Sequence, residues 1–277
     1  MMYSHLYLLI AVAGLLCQAA IAQQNLATSG NYEIQFCGKG RGSKSARLQT
    51  LLPQFRHNLQ LVLADVKRGT KSEAYRAYFK SQANAAYVES IFQAMADGTR
   101  LQIAVPGAPS NFRRPASPTI VCLDPSMPNA ERLRAVCSET MLGGRALGSI
   151  IPQSHVMVLC PAYWQVLTKG PVRSDCPTVK RNKFVPDNHR VGENQYGVFV
   201  HEFTHAYTHN WDTKEIYNPM EAVKLSAKRS LKNPSNFALY AASVVAGCSQ
   251  YPNPNILPDE ERILQEISEG NTTDLEP

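Results

Sequence analysis

No two of the seven cysteines in this chain of 277 residues stand at the close spacing of a metal knuckle, which excludes a zinc–thiolate module as its organising feature. Charged residues are scarce at 18%, below the proportion of about a quarter usual for soluble domains. No nucleic-acid motif accompanies the formal charge of +6, so nucleic acid is not expected as a partner. The basic residues fall in loose groups: Lys39, Arg41, Lys44 and Arg47, then Arg113 and Arg114, then Lys180, Arg181 and Lys183. They read as a solvated face rather than a docking site for an anionic polymer. Internal repeats are absent, and no linker is clean enough to divide the chain in two. Long apolar runs are also lacking. The stretch 6–16 is too short for a comfortable membrane span, and nothing similar follows it.

What is present begins with that short run. Residues 1–22 have the form of a signal peptide, with a weak n-region in which His5 is the one basic-type residue, and Ala20-Ile21-Ala22 as a small-x-small cleavage site. The expected protein is secreted, free of the membrane after processing, and monomeric. Removal of Cys17 leaves Cys37, Cys122, Cys137, Cys160, Cys176 and Cys248. An even number in an oxidising compartment reads as three disulfides, with the connectivity open. Asn271-Thr272-Thr273 is a glycosylation sequon, whereas Asn233-Pro234-Ser235 is disqualified by its proline.

The organisation expected is a short N-terminal segment over 23–36, one domain over 37–250, and a proline-rich, then acidic tail over 251–277. A hydrophobic content of 44% supports a proper core. Ser43 or Ser45 can cap a helix reaching to about Arg68, with Leu48, Leu51, Leu52, Phe55, Leu59, Val62, Leu63 and Val66 near helical spacing. Pro53 fits it only with a late start or a kink. A second helix is expected over 72–95. Strands are expected over 119–123 and 155–160, with Gly143-Gly144 marking a turn. Further helices are expected from about Glu193, over 219–230, and over 234–246.

The chain is organised around His201-Glu202-Phe203-Thr204-His205, an H-E-x-x-H sequence. On a helix, positions four apart share a face, so the two imidazoles converge on one point at the spacing of a zinc pair. Glu202 lies one step round, where it can take a proton from a water whose pKa the zinc has lowered. Tyr196, Val200, Phe203 and Tyr207 supply an apolar surface for burial, and neither Pro nor Gly interrupts 198–209. A catalytic zinc ordinarily has three protein ligands and one open position. Asp212, Glu215, Glu221 and His209 are the candidates for the third, His209 being better suited to the helix end or an outer position.

These residues, together with Asp212-Thr213-Lys214-Glu215-Ile216-Tyr217, the segment Asn233-Pro234-Ser235-Asn236-Phe237-Ala238-Leu239-Tyr240-Ala241 and the stretch Val158-Leu159-Cys160-Pro161-Ala162-Tyr163-Trp164, resemble the deuterolysin and peptidyl-Lys metalloendopeptidase family, the aspzincins. The family pattern is H-E-x-x-H, then G-T-x-D-x-x-Y-G, then a helix near N-A-D-x-Y-x-x-x-A. The resemblance implies an α+β, predominantly helical zincin-like domain with a small antiparallel sheet and disulfides. It implies one Zn2+ per chain and a protein or peptide substrate. It puts Glu215 at the metal aspartate, one methylene longer and in a D-x-x-Y equivalent one residue shorter, with Asp212 as the rival. Tyr217 falls on the tyrosine that steadies the oxyanion. The acidic position of lysine-specific members is Ser235 here, so lysine preference is not implied. Within this scheme the pairings are Cys137–Cys160, Cys37–Cys122 and Cys176–Cys248. The function implied is a secreted zinc metalloendopeptidase. The contrasting reading is a secreted zinc-binding or effector protein without turnover, suggested by the altered G-T-x-D-x-x-Y-G segment.

Overall fold

The structure is a computed structural model that describes residues 27–29, 31–104, 118–123, 130–138, 140–141, 144–151, 155–166, 170–185, 192–208 and 215–252. The proposed signal peptide, Asp212, His209, Asn271 and nearly all of the C-terminal tail lie outside these residues.

The elements run β1 (Ala27–Ser29), β2 (Tyr32–Gln35), α1 (Lys44–Val66), α2 (Glu73–Phe79), α3 (Ala85–Asp97), β3 (Thr119–Cys122), α4 (Ala130–Ser138), β4 (Thr140–Met141), β5 (Gly144–Arg145), β6 (Gly148–Ile151), β7 (Val156–Leu159), α5 (Pro161–Val166), β8 (Val179–Lys180), β9 (Lys183–Phe184), α6 (Gln195–Thr208), α7 (Pro219–Ala222), α8 (Ala227–Ser230) and α9 (Pro234–Ala246). The architecture is α+β and mostly helical, with one five-stranded sheet and two small ribbons. Strand order in the sheet is β1-β2-β3-β7-β6. The sheet is mixed rather than antiparallel throughout. The pairs β2/β3 and β3/β7 are parallel, and only the edges β1/β2 and β6/β7 are antiparallel. The long helical and loop excursions between β2, β3 and β7 give the chain room to return in the same direction, which a tight hairpin cannot do.

Strand β2 lies in the expected N-terminal segment, buries Tyr32 and Ile34 and pairs with β3. Two helix expectations are corrected. The helix expected over 72–95 is two helices, broken where Lys80 takes a φ of 61°. Its ammonium is drawn to the carbonyl oxygens of Ala77 and Val223, and a 3-10 turn at Gln82–Asn84 intervenes. The helix expected over 219–230 is likewise two short ones, the second capped by Ser226. Other segments keep the anticipated form. Ser43 caps α1, accepting a hydrogen bond from Ala46 N–H, and Pro53 lies inside that helix. The helix over 234–246 begins with Pro at its first turn and ends on Gly247 in the left-handed conformation, where glycine carries no Cβ penalty.

Three disulfides cross the fold. Cys37–Cys122 joins the end of β2 to β3, Cys137–Cys160 joins α4 to the end of β7, and Cys176–Cys248 reaches the C-terminus of α9.

Helix α6 is fixed by its aromatic face. Tyr196, Phe199, Val200, Phe203 and Tyr207 recur at helical spacing and are all buried. Phe55 of α1 meets three of them, with ring centroids 5.3 Å from Tyr196, 5.4 Å from Phe199 and 5.8 Å from Phe203. Tyr32 of β2 stacks on Phe203 at 5.2 Å. The opposite flank of α6 packs along α9 and β6. Truncation of Phe55 to alanine is expected to lower unfolding free energy by about 3–5 kcal/mol, the range for a buried phenylalanine. Urea unfolding measures it, and a loss below about 1 kcal/mol would mean that this cluster does not secure α6.

Candidate metal centre

Helix α6 starts where Asn194, fully buried, accepts a hydrogen bond from Gly197 N–H at 2.8 Å. This is a side-chain N-cap, and it sets the start two residues later than Glu193. Gly197 has to be glycine, because a Cβ there would run into the carbonyl of Gly192. With one face of the helix given to aromatics, the other carries His201, Glu202 and His205. The imidazole centroids of His201 and His205 lie 5.0 Å apart.

Glu215, in the segment before α7, reaches between them. Its Oε1 lies 3.1 Å from His201 Nε2, and its Oε2 lies 3.3 Å from His205 Nε2. Among the described residues these three are the one group whose His, Cys, Asp or Glu ligand atoms converge as for a metal ion, all within 4.8 Å of one another. The donor set fits zinc. Two Zn–ligand bonds of about 2.1 Å at a tetrahedral angle put their donor atoms about 3.4 Å apart, close to the observed nitrogen–oxygen separations.

The electrostatics favour the same use. Burial lowers the His201 pKa to about 4, leaving a neutral imidazole. Burial alone would raise Glu215. The His201 and His205 rings and a hydrogen bond with Tyr217 outweigh it and hold the carboxyl at about 2. For His205 burial works downward, but the hydrogen bond to Glu215 and the charges of Glu202 and Glu215 carry its pKa above the ordinary value. Zinc binding needs a deprotonated carboxylate and neutral rings. His201 and Glu215 already meet that condition, while His205 holds its proton more tightly than an ordinary imidazole.

Glu202 points toward the sheet edge. It is 8% exposed, and burial lifts its pKa to about 7, opposed by His205 and by a backbone hydrogen bond from Ile150. Strand β6 runs alongside, and a Cβ at Gly148 would stand 3.4 Å from Glu202 Cγ, close to ordinary contact. A carboxylate poised near neutrality suits proton transfer at ordinary pH. Tyr217 stacks on His201, with centroids 5.6 Å apart and planes at 19°, and shares a hydrogen bond with Glu215. It is 37% exposed, one of few large hydrophobic side chains at the surface among the described residues. Burial and the Glu215 charge raise its phenol pKa, so it stays a protonated donor.

Of the other third-ligand candidates, Glu221 lies apart, half-exposed in α7 and paired with Lys224 at 2.7 Å. Asp212 and His209 lie outside the described residues. Sequence reading missed the part played by Asn233 and Ser235. Ser235 Oγ lies 3.1 Å from Glu215 Oε1 and 3.5 Å from His201 Nδ1. The visible signal was a buried-helix start reading Asn-Pro-Ser-Asn, whose polar side chains need partners.

Two imidazoles one helical turn apart, a part-buried carboxylate between them, a second glutamate beside them and a phenol at the rim define a candidate mononuclear metal centre on a helical α+β scaffold. The particular likeness is to the neutral protease 2 proteins. Over 99 residues the chain is 34% identical to a neutral protease 2 homolog, MEP3, of Coccidioides posadasii (strain C735), and over 99 residues it is 33% identical to one from Uncinocarpus reesii (strain UAMH 1704). Each match takes in 35% of this chain and 23% of the relative, so the chain spans about a quarter of the length of the curated relatives it matches. The similarity to these proteins covers about a third of this chain. No family model matches it. Among solved structures, a zinc peptidase from Grifola frondosa superposes with a TM-score of 0.43 at 14% identity, covering 72% of this chain and 93% of that one. That overlay is too loose to carry an argument about the site.

Glu215→Ala is expected to weaken zinc binding by more than the roughly 10–100-fold that follows loss of an outer partner, whereas Asp212→Ala leaves it unchanged. Competition with a chromophoric chelator measures both. The reverse pattern would transfer the ligand role to Asp212.

Proposed function

We propose that this protein is a secreted zinc-dependent metalloendopeptidase that holds one zinc ion through His201, His205 and Glu215. The observation that carries the proposal is the placement of Glu215 between the two imidazoles, with Glu202 and Tyr217 at its sides. The printed names of the curated relatives support the protease class.

Held by His201, His205 and Glu215, a zinc ion would supply Lewis acidity that lowers the pKa of a water and polarises a carbonyl. Glu202 then takes the proton of the attacking water and delivers it to the departing amine, a double duty that suits a carboxyl titrating near 7. Tyr217, half-exposed and protonated, can swing its one O–H from Glu215 to the oxygen on which negative charge develops. The aromatic floor beneath α6 keeps these groups from shifting as charge moves. The substrate is a polypeptide. Ser235, turned toward Glu215, gives no negative charge with which to select lysine.

Secretion rests on the signal-like segment 1–22 and on three disulfides, which suit an oxidising compartment. No described helix is long and apolar enough to cross a membrane. A zinc-binding protein without turnover is the second reading. It is favoured by the departure from G-T-x-D-x-x-Y-G, and opposed by the retention of Glu202 in a proton-transfer position.

Glu202→Gln is expected to keep one zinc per chain, read by elemental analysis, while cleavage of denatured casein falls by about 10²–10⁴-fold. Normal cleavage by that variant overturns the mechanism. Zinc without cleavage in the wild type selects the second reading. Tyr217→Phe is expected to lower kcat by about 10²-fold with little change in KM, the mark of an interaction made in the transition state.

A further inference from the structure

The carboxylate of Glu215 is aimed by a separate piece of the chain, the turn that starts α9. Asn233 is 4% exposed, and its side chain grips the backbone of Ile216 at both polar atoms. Ile216 N–H donates to Asn233 Oδ1 at 3.0 Å, and Asn233 Nδ2 donates to the Ile216 carbonyl at 2.9 Å. Ile216 stands between Glu215 and Tyr217, so this two-point grip fixes the peptide units from which both site residues project. Nδ2 also donates to Asn236 Oδ1 at 2.7 Å. Asn236, fully buried, donates in turn to the carbonyl oxygens of Tyr78 and Ala222, each at 3.0 Å. The grip is thereby tied to α2 and α7. Two residues from Asn233, Ser235 Oγ donates to Glu215 Oε1 and faces His201 Nδ1 at 3.5 Å. A hydroxyl that gives its proton to a carboxylate can still accept one from a ring N–H. With the proton on Nδ1, the Nε2 that faces Glu215 is left with its lone pair, the tautomer a metal ligand needs.

We propose that Asn233 and Ser235 are the positioning residues of the metal centre. Asn233 locks the backbone that carries Glu215 and Tyr217, and Ser235 orients the Glu215 carboxylate and the His201 ring. This rests on the metal centre proposed above. It accounts for how a glutamate, with one more rotatable bond than aspartate, is held to a single direction. The hydrogen bonds it accepts remove the freedom that the extra methylene adds.

The test uses the full chain and zinc alone. Asn233→Ala, Ser235→Ala and Ser235→Thr are compared with wild type by thermal midpoint without zinc, by zinc Kd from chelator competition on folded protein, and by the separation of kcat from KM on casein. The alanine variants are expected to weaken zinc binding by about 10–100-fold, with Thr returning it to within about threefold of wild type because the hydroxyl is restored. A merely structural role would lower the thermal midpoint and leave zinc Kd unchanged. Alanine variants that fold and bind zinc within about twofold of wild type therefore overturn the proposal. Should Asn233→Ala not fold, Ser235→Ala decides, since it removes no backbone contact. A wild type that takes up no zinc overturns both the metal centre and its positioning residues. A wild type that binds zinc without cleaving casein overturns the hydrolase reading alone, because the Kd ratios still decide on Asn233 and Ser235.

Discussion

Everything at this site depends on a carboxylate kept ionised where water is scarce. Removing a charged group from solvent costs several kcal/mol unless partners replace its hydration. Glu215 recovers that cost through the His205 imidazole, a phenol and a serine hydroxyl. Each partner belongs to a different stretch of chain or a different turn of helix, so the charge is stable only when the stretches are correctly assembled. The carboxylate thus tests the assembly of α6, the segment before α7 and the start of α9 against one another.

The remainder of the fold supplies the rigidity this requires. Helix α6 cannot rotate without pulling Phe199 and Phe203 out of contact with Phe55, and rotation is the motion that would separate the histidines from Glu215. Tyr207 adds a polar stop at the far end, its hydroxyl 2.9 Å from the carbonyl oxygen of Thr99, to which it donates, and 3.3 Å from that of Ala94. On the sheet side, β6 holds Glu202 through the backbone of Ile150. Apolar packing fixes where the helix lies, and hydrogen bonds fix where its polar groups point.

What could be read from the sequence was local. The helical recurrence of aromatics over 196–207 and the spacing of His201 and His205 announced α6 and its two faces, because both signals lie within one element. The Asn-Pro start and Gly247 stop of α9 were legible for the same reason. Lys80 was not, since its left-handed backbone is held by a bond to Val223, distant in sequence, and neither Gly nor Pro marks it. Strands β3 and β7 were legible too, but not their pairing, since the parallel arrangement of β2, β3 and β7 is decided by contacts across the whole chain. At the site, Glu215 was a candidate among several on sequence grounds, and only the folded arrangement brings it between the rings. Asn233 and Ser235 left hardly a trace, because a polar residue that serves a distant backbone looks the same in sequence as one that serves its own turn.

The bridge from Cys176 to Cys248 ends just past the last turn of α9. A helix ordinarily frays from its ends, where hydrogen bonds are fewest. The C-terminal end is tethered by a covalent bond, whereas the end that begins at Asn233, beside Glu215, is held by hydrogen bonds alone. Loosening of this helix is therefore directed toward the metal-ligand cluster. A bound ion would act as the second rivet of a rod already fastened at its other end, joining resistance to local opening to occupancy of the site.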